Sequence, residues 1–449
     1  MLVNFRFTNF LSVDQLTEFS MTPGRVKKHE NHLIPFDQSN SLLKFAALYG
    51  ANASGKSTFF KAISYSQSLI INGLTDDLVI STSYNRNNQK NRDKVTNFEY
   101  EISIDDKIYS YGFSILLSKR KFVQEWLYDI TNQETIIYMI DKSQKHYEIN
   151  QNYLNISDSF YHRLQVYFED NLFDHSQLIL SALNNGKKVT DLKEGKIFHT
   201  AYHWFLNHLE VIGPGQAAKE AIPNLIMEAQ LYQEQLANYL ANNDTGIQSL
   251  FREPVEALIG VPATIQERIF EELRTSDTLE KISILKTNAR LFIIEYKQNN
   301  FLFYELKFKH QNGTVYSLFE ESDGTVRLIE IYSVIYNTSN KVFVIDEIDR
   351  SLHPLLTYNF VESFLNQTNN SQLIVTTHED ILLNLQLLRR DEIWFVEKDQ
   401  NGNSSLYSLE NFKERFDKNI LNAYLDGRYG AVPTLRNLFS EVNDTTKEV

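Results

Sequence analysis

Apolar and polar residues change their spacing along the chain in a way that separates three stretches. From Phe98 to about Ile140 they alternate, which predicts antiparallel strands joined by short turns. From about Ser157 to Leu285 apolar residues recur three and four positions apart, which predicts helices. Beyond these, apolar runs such as Lys341–Ile345 and Gln372–Thr376 alternate with helical stretches, as in a parallel α/β layer. The pattern therefore predicts an α/β fold with a mixed sheet, a parallel α/β layer and a mainly helical insertion.

The same changes predict the domain boundaries. Residues 1–156 and 286–449 would form two parts of one domain, and residues 157–285 would form the helical insertion. The chain has 449 residues, which is enough for more than one core.

The net charge of −13 argues against a broadly basic surface for nucleic acid. The absence of cysteine excludes thiol chemistry and suits a reducing cytoplasm. No apolar run approaches the roughly 20 residues of a membrane-spanning helix, so we expect a cytoplasmic protein without a membrane partner.

One octet carries the clearest chemistry. Gly50–Ser57 reads Gly-Ala-Asn-Ala-Ser-Gly-Lys-Ser, which matches the phosphate-loop pattern G-x-x-x-x-G-K-[ST]. An apolar run, Leu42–Tyr49, predicts a buried strand before the loop, and a helix opens after it. Lys56 would neutralise the β- and γ-phosphates of ATP, and the Ser57 hydroxyl would bind Mg²⁺. The residues predicted to contact the nucleotide are Gly50, Asn52, Ser54, Gly55, Lys56, Ser57 and Thr58.

A second element supplies carboxylates. The apolar strand Lys341–Ile345 ends in Asp346 and Glu347. In phosphoryl transfer a carboxylate organises Mg²⁺, and a second group orients or activates the attacking water. We therefore predict that Asp346 binds the metal and that Glu347 is the general base of an ATPase.

The long separation between the loop and these acids resembles the ATP-binding-cassette ATPases of the SMC, RecF and OLD kind. The resemblance implies an ABC-type ATPase head interrupted by an insertion, and a signature element upstream of the acidic strand. Glu321–Thr325 lies there, so Ser322 and Gly324 would contact ATP across a homodimer or a higher oligomer with composite sites. The resemblance also implies a D-loop at Asp349–Pro354 and a switch histidine, His378, that senses the γ-phosphate. For the Q-loop glutamine, Gln124 and Gln177 stay open as alternatives.

Further segments resemble bacterial abortive-infection ATPases of the AbiL/RloA type. They are Asn9–Ser12 after the first strand, Glu392–Asp399, and Tyr424–Pro433 near the end of the sequence. This resemblance implies a separately encoded, nuclease-like effector protein as partner. We read Glu397 as a surface or structural acid, because no Asp-x-Asp follows it.

Three functions follow as hypotheses. The favoured one is an ATP-driven switch of an anti-phage system that controls the effector. The alternative is a DNA repair or chromosome-maintenance ATPase of RecF/SMC type, with DNA as partner. Its basic footprint would be Lys187, Lys188, Lys193 and Lys196. The third is a self-contained nuclease, which needs a second cluster of metal-binding carboxylates.

Overall fold

The computed structural model divides the chain into two compact units, Met1–Leu209 with Gln372–Val449, and Glu210–Ser371. The residues that it describes are 1–36, 40–75, 80–185, 193–219, 221, 229–275, 281–287, 290–336, 339–367, 370–412 and 420–432. Among them, the strands are β1 (Leu2–Thr8), β2 (Thr17–Ser20), β3 (Leu33–Pro35), β4 (Ser41–Leu43), β5 (Phe45–Tyr49), β6 (Thr96–Ile104), β7 (Lys107–Leu116), β8 (Lys121–Asp129), β9 (Thr135–Asp141), β10 (His146–Ile149), β11 (Leu209–Ile212), β12 (Ile247–Val255), β13 (Ile282–Lys286), β14 (Leu291–Lys297), β15 (Asn300–His310), β16 (Val315–Ser317), β17 (Val342–Ile345), β18 (Gln372–Thr376), β19 (Ile393–Lys398) and β20 (Ser404–Ser408). The α-helices are α1 (Lys56–Asn72), α2 (Gln151–Leu154), α3 (Asp158–Phe173), α4 (Ile179–Asn185), α5 (Lys196–His203), α6 (Ala229–Asn242), α7 (Ala263–Thr275), α8 (Asp323–Ile335), α9 (Pro354–Leu365) and α10 (Ile420–Leu425).

The first unit contains a seven-stranded antiparallel sheet in the order β10-β9-β8-β7-β6-β1-β2. A hairpin turn at Asp105-Asp106 joins β6 to β7, with Ile104 opposite Lys107. Both aspartates have positive φ, 49° and 61°, as a two-residue hairpin turn with matched twist requires. Inward-facing rings fill one face of this sheet, and Phe5 lies 4.6 Å from Tyr100 between ring centroids.

The parallel layer of the first unit places β5 between β18 and β19. Leu48 on β5 is in register with Thr376 on one side and with Trp394 on the other. The apolar run Leu42–Tyr49 is two strands rather than one, and they meet at Lys44. The Lys44 amide donates to the His32 carbonyl, whereas its own carbonyl accepts from the Leu373 amide. The chain therefore changes pairing partner at this residue, from the small β3–β4 sheet to the parallel layer.

The second unit is built around a five-stranded antiparallel sheet in the order β12-β15-β14-β13, with β16 paired to β15. Helix α7 packs on it through a cluster that includes Ile269, Leu273, Phe292 and Ile294. Strand β12 is a correction to the helices predicted from about Ser157 to Leu285. Pro254 lies in β12 opposite Tyr304. Because β12 is the outermost described strand of its sheet, it can accept a residue without an N–H group.

The predicted mixed α/β fold class is confirmed. Residues 157–285 hold helices α3 to α7, but they also hold β11, β12 and β13. The predicted boundaries at residues 156 and 285 stay predictions. Along the sequence, the division between the two compact units falls at 209/210 and 371/372. Among the described residues, no helix combines the length and the apolar character needed to cross a membrane.

Candidate functional site

The phosphate loop of the first unit turns sharply between β5 and α1, and its shape depends on two glycines. A Cβ at Gly50 would lie 2.5 Å from both Ser54 Oγ and the Val396 carbonyl. Gly55 has a φ of +118°, and a Cβ there would overlap the Ser404 side chain. Ala53 also has positive φ, 61°. Such left-handed conformations turn successive N–H groups to one side and form a concavity that binds anions.

Lys56 begins α1 and folds back over this loop. Its Nζ donates to the carbonyls of Gly50 at 2.6 Å and Ala51 at 3.4 Å, and its side chain is buried. Ser57 follows in the first turn of the 17-residue helix, and the Thr58 amide donates to the Gly55 carbonyl at 2.9 Å. The N-terminus of a helix favours negative charge. The loop therefore presents one ammonium group and a helix N-terminus where the sequence predicts phosphates.

A chain of hydroxyl groups fixes the far side of the loop, and the sequence reading missed it. The Ser404 hydroxyl donates to the Ser54 carbonyl at 2.5 Å, and it lies 2.8 Å from Ser12 Oγ. Ser12 Oγ lies in turn 2.8 Å from Thr58 Oγ1. The Asn9–Ser12 motif offered a signal for Ser12, whereas Ser404 lies in a polar, turn-rich stretch that reads as an ordinary loop.

Asn9 in the same motif has a structural role. Its side chain is buried, and its Nδ2 donates to the carbonyls of Asn91 at 3.0 Å and Lys94 at 3.1 Å. Its Oδ1 accepts from the Asn85 amide at 3.1 Å. Asn9 therefore holds the segment from Asn85 to Lys94 against the start of the Ser12 turn.

His378 lies just past the end of β18, beside the phosphate-loop strand. The Thr377 amide donates to the Leu48 carbonyl at 3.2 Å, so the two parallel strands end at the same edge. The His378 side chain is exposed. Burial raises the pKa of the nearby Asp380 carboxyl, and the charge interaction with His378 opposes that rise. The ends of parallel strands are where α/β proteins bind ligands, which suits the predicted γ-phosphate sensor.

In the second unit, β17 carries the two acids at its end. Asp346 is buried, and its amide donates to the Ile212 carbonyl at 3.0 Å. Glu347 has a φ of +51°, a left-handed conformation that costs energy for a residue with a Cβ. Residues held in such conformations cluster at active sites. The extended path of β17 thus ends before Glu347, which has a left-handed backbone.

Ser322 and Gly324, also in the second unit, open α8. Ser322 is the N-cap, since its Oγ accepts from the Thr325 amide at 3.2 Å, and the residue is exposed. A Cβ at Gly324 would lie 2.9 Å from the Ser351 carbonyl, so glycine allows the helix start to approach the predicted D-loop. His310 Nε2 lies 2.8 Å from a carboxyl oxygen of Glu321, which ties β15 to the residue before Ser322.

The remaining predicted residues have ordinary structural contacts. Gln124 lies on β8, and its Nε2 donates to Asp141 at 2.7 Å. The Gln177 carbonyl accepts from Lys142 Nζ at 2.7 Å. Glu397 is exposed and accepts from the Tyr407 hydroxyl at 3.1 Å, as expected of a structural acid. Lys196 forms an exposed ion pair with Asp105 at 3.7 Å. The predicted residues Lys187, Lys188 and Pro433 lie outside the described residues, as does the Lys193 side chain.

The phosphate loop fits a bound nucleotide, and each unit carries an oxygen ligand of the kind that the metal would need. The two glycines leave a concave loop that a Cβ would fill, and Lys56 supplies the positive charge. The Ser57 hydroxyl and the Asp346 carboxylate are oxygen donors, the kind that Mg²⁺ prefers. Asn52 is exposed at the tip of the loop. The Ser54 Oγ is buried, and no described residue forms a hydrogen bond with it.

No curated protein matches the chain. Among solved structures, an SMC head bound to the C-terminal winged-helix domain of ScpA is 14% identical, with 91% of this chain and 97% of that chain covered and a TM-score of 0.44. The SMC head domain from Thermotoga maritima is 12% identical, with coverages of 91% and 98% and a TM-score of 0.36. An SMC head with an extended coiled coil, bound to the C-terminal domain of ScpA derived from Pyrococcus furiosus, is 14% identical, with coverages of 91% and 96% and a TM-score of 0.35.

A family model described as "AAA domain, putative AbiEii toxin, Type IV TA system" matches residues 45–384. The matched region runs from the first residue of β5, through the phosphate loop and the acids after β17, to a point just beyond His378. It spans well over half of the chain, and the chain therefore belongs to this family of AAA domains.

Proposed function

We propose that the protein binds ATP with Mg²⁺ and hydrolyses it to ADP and phosphate. The observation that carries this proposal is the tight, glycine-dependent loop with the Lys56 ammonium folded over it. Gly50–Thr58 would hold the phosphates, and the N-terminus of α1 would add to the attraction. Membership of the AAA family supports the same activity.

Mg²⁺ would neutralise charge on the phosphates, with Ser57 and Asp346 as its protein ligands. Glu347 would accept a proton from the attacking water. His378 would respond to the γ-phosphate through a hydrogen bond from its imidazole ring. Catalysis would then depend mainly on positioning and electrostatic stabilisation.

Two copies of the chain would form each composite site. Ser322 is exposed at the start of a 13-residue helix, so it is available to a second molecule. Ser322 and Gly324 of one protomer would contact the γ-phosphate held by Lys56 of its partner. ATP would then join two heads, and hydrolysis would release them.

We further propose that this cycle serves an anti-phage system in the cytoplasm and controls a separately encoded, nuclease-like effector. The family description names a putative toxin of a type IV toxin–antitoxin system, which supports a role in abortive infection. The resemblance of Tyr424–Pro433 to the AbiL/RloA type supports the finer assignment. Co-expression with the product of a neighbouring gene tests it, because the proposal requires a complex whose stability differs between ATP and ADP.

The nucleotide proposal is tested by Lys56→Ala with Lys61→Ala as matched control. Both lysines lie on α1, but Lys61 is exposed. Loss of the charged contact costs about 2–3 kcal/mol of binding free energy, so affinity for ATP should fall by about thirtyfold or more. The Lys61→Ala protein should bind ATP like the parental protein. Equal ATP binding and turnover by the two variants would refute the site assignment.

Adding duplex DNA to the turnover assay tests the RecF/SMC alternative, which requires that DNA stimulates ATP hydrolysis.

A further inference from the structure

A cleft opens in the first unit between two strands that end their sheets. Among the described residues, β2 is the last strand of the seven-stranded sheet, and β20 is the last strand beyond β19. The cleft has a volume of about 550 Å³ and is lined by residues of both strands and their flanking turns. Outer strands offer backbone N–H and C=O groups to an additional extended segment.

The lining of this β2–β20 cleft is acidic. It includes the carboxylates of Asp14, Glu18 and Asp399 and no lysine or arginine. Glu18 is paired with Arg6 at 2.7 Å. Asp14 accepts from Asn91 Nδ2 at 2.7 Å, and Asp399 accepts from the Asn403 amide at 2.7 Å. Within the described part of the chain, Asp14 and Asp399 have no cationic partner. Two carboxylates in one cleft therefore remain to be neutralised from outside.

Apolar groups lie beside these acids. Leu16 is 66% exposed, which is unusual for a large aliphatic side chain lining a concave surface. Trp394 also lines the cleft and is only 8% exposed, yet its buried Nε1 has no hydrogen-bond partner among the described residues. The cleft thus offers apolar contact and unneutralised negative charge.

We propose that the β2–β20 cleft binds an extended, basic segment of a partner protein. Side chains of an extended segment alternate between two faces. Lysines or arginines on one face would pair with Asp14 and Asp399, while apolar residues on the other would cover Leu16 and Trp394. Docking of such a segment in the cleft would not require ATP hydrolysis.

Two acetylated and amidated eight-residue peptides serve as probes, one alternating Lys and Val and the other alternating Glu and Val. Binding to the full chain without nucleotide is followed by calorimetry and by tryptophan fluorescence. The Lys/Val peptide should bind at least about tenfold more tightly, and its fluorescence response should vanish in Trp394→Phe. Equal binding of both peptides, or an unchanged response in Trp394→Phe, would overturn the proposal.

Substitution of the two acids distinguishes binding in this cleft from general attraction of a basic peptide to an acidic protein. Each exposed ion pair contributes about 0.2–1 kcal/mol, so Asp14→Asn with Asp399→Asn should weaken the Lys/Val peptide by about two- to thirtyfold. Asparagine keeps the acceptor oxygens that Asn91 and Asn403 use. Glu134→Gln, an exposed position on a turn outside the cleft, should leave affinity unchanged. Leu16→Ser should also weaken binding. If the double variant and Glu134→Gln have the same affinity, the cleft is not the binding site.

Discussion

The Ser404 hydroxyl donates a hydrogen bond to the Ser54 carbonyl at 2.5 Å, joining residues that are 350 positions apart. One residue belongs to β20 and the other to the phosphate loop. Ser404 also lies 2.8 Å from Ser12 Oγ, so a single side chain connects the loop to the turn after β1. A residue far from any recognised motif thereby helps to set the shape of the predicted phosphate site.

Ser404→Ala should weaken ATP binding without unfolding the protein. Loss of one buried hydrogen bond costs about 1 kcal/mol, which corresponds to an affinity about fivefold lower. Ser405→Ala is the matched control, because Ser405 is the next residue on β20 and is exposed. Calorimetric titration with ATP and Mg²⁺ measures both variants. Indistinguishable affinities would show that the Ser404 contact does not support the loop.

Gly55→Ala should abolish ATP binding and lower the free energy of unfolding. The substitution adds a Cβ at a φ of +118°, where it would overlap Ser404. Gly313→Ala provides the comparison, since Gly313 has a φ of +86° and nothing lies within 4 Å of a Cβ built there. The backbone strain of about 1–2 kcal/mol is common to both variants, so any further loss in Gly55→Ala reports the steric overlap. Thermal unfolding and ATP titration measure the two effects. Equal losses of stability in Gly55→Ala and Gly313→Ala would show that a Cβ at position 55 does not clash with Ser404.

Much of the fold follows from the sequence where local pattern and pairing agree. β18 matches its predicted bounds, Gln372–Thr376, because a buried parallel strand needs a continuous apolar run. β16 ends at Ser317, where a capping box between Ser317 and Glu320 starts a helical turn. The division at Lys44 was not predictable, because it depends on a distant pairing with Leu373.

In the candidate site, too, residues with a fixed local spacing were predictable and residues placed by distant pairing were not. The loop motif reveals Lys56 and Ser57 because nucleotide binding imposes a fixed local spacing. Ser404 carries no such spacing, because its contact with the loop arises only when β20 pairs with β19. The positive φ of Glu347 also lies beyond sequence reasoning, because glutamate rarely adopts that conformation.

Mixing two inactive variants tests whether two chains build each site. Ser322→Arg would block the signature element, and Lys56→Ala would remove the phosphate contact. In a mixed dimer one composite site keeps both native residues, so an equal mixture should regain about a quarter of the parental turnover. Phosphate release measures the recovery. The control mixes Lys56→Ala with a chain carrying both substitutions, which leaves no intact site. Mixed dimers as inactive as this control would contradict the head-to-tail arrangement.

Glu347 allows catalysis and strain to be separated with two substitutions. Glu347→Gln keeps the side-chain shape but cannot accept a proton, so turnover should fall by about 10²- to 10⁴-fold while ATP still binds. Asp346→Asn should weaken ATP binding as well, because it removes a charge from the predicted metal site.

Glu347→Gly should be as inactive as Glu347→Gln, but it relieves the left-handed conformation at φ +51°. It should therefore raise the free energy of unfolding by up to about 1 kcal/mol. Lys145→Gly, at φ +53° on an exposed turn, should show similar strain relief with parental turnover. Parental turnover in Glu347→Gln would place the general base elsewhere. A Glu347→Gly protein no more stable than Glu347→Gln would show that the bend at Glu347 stores no strain.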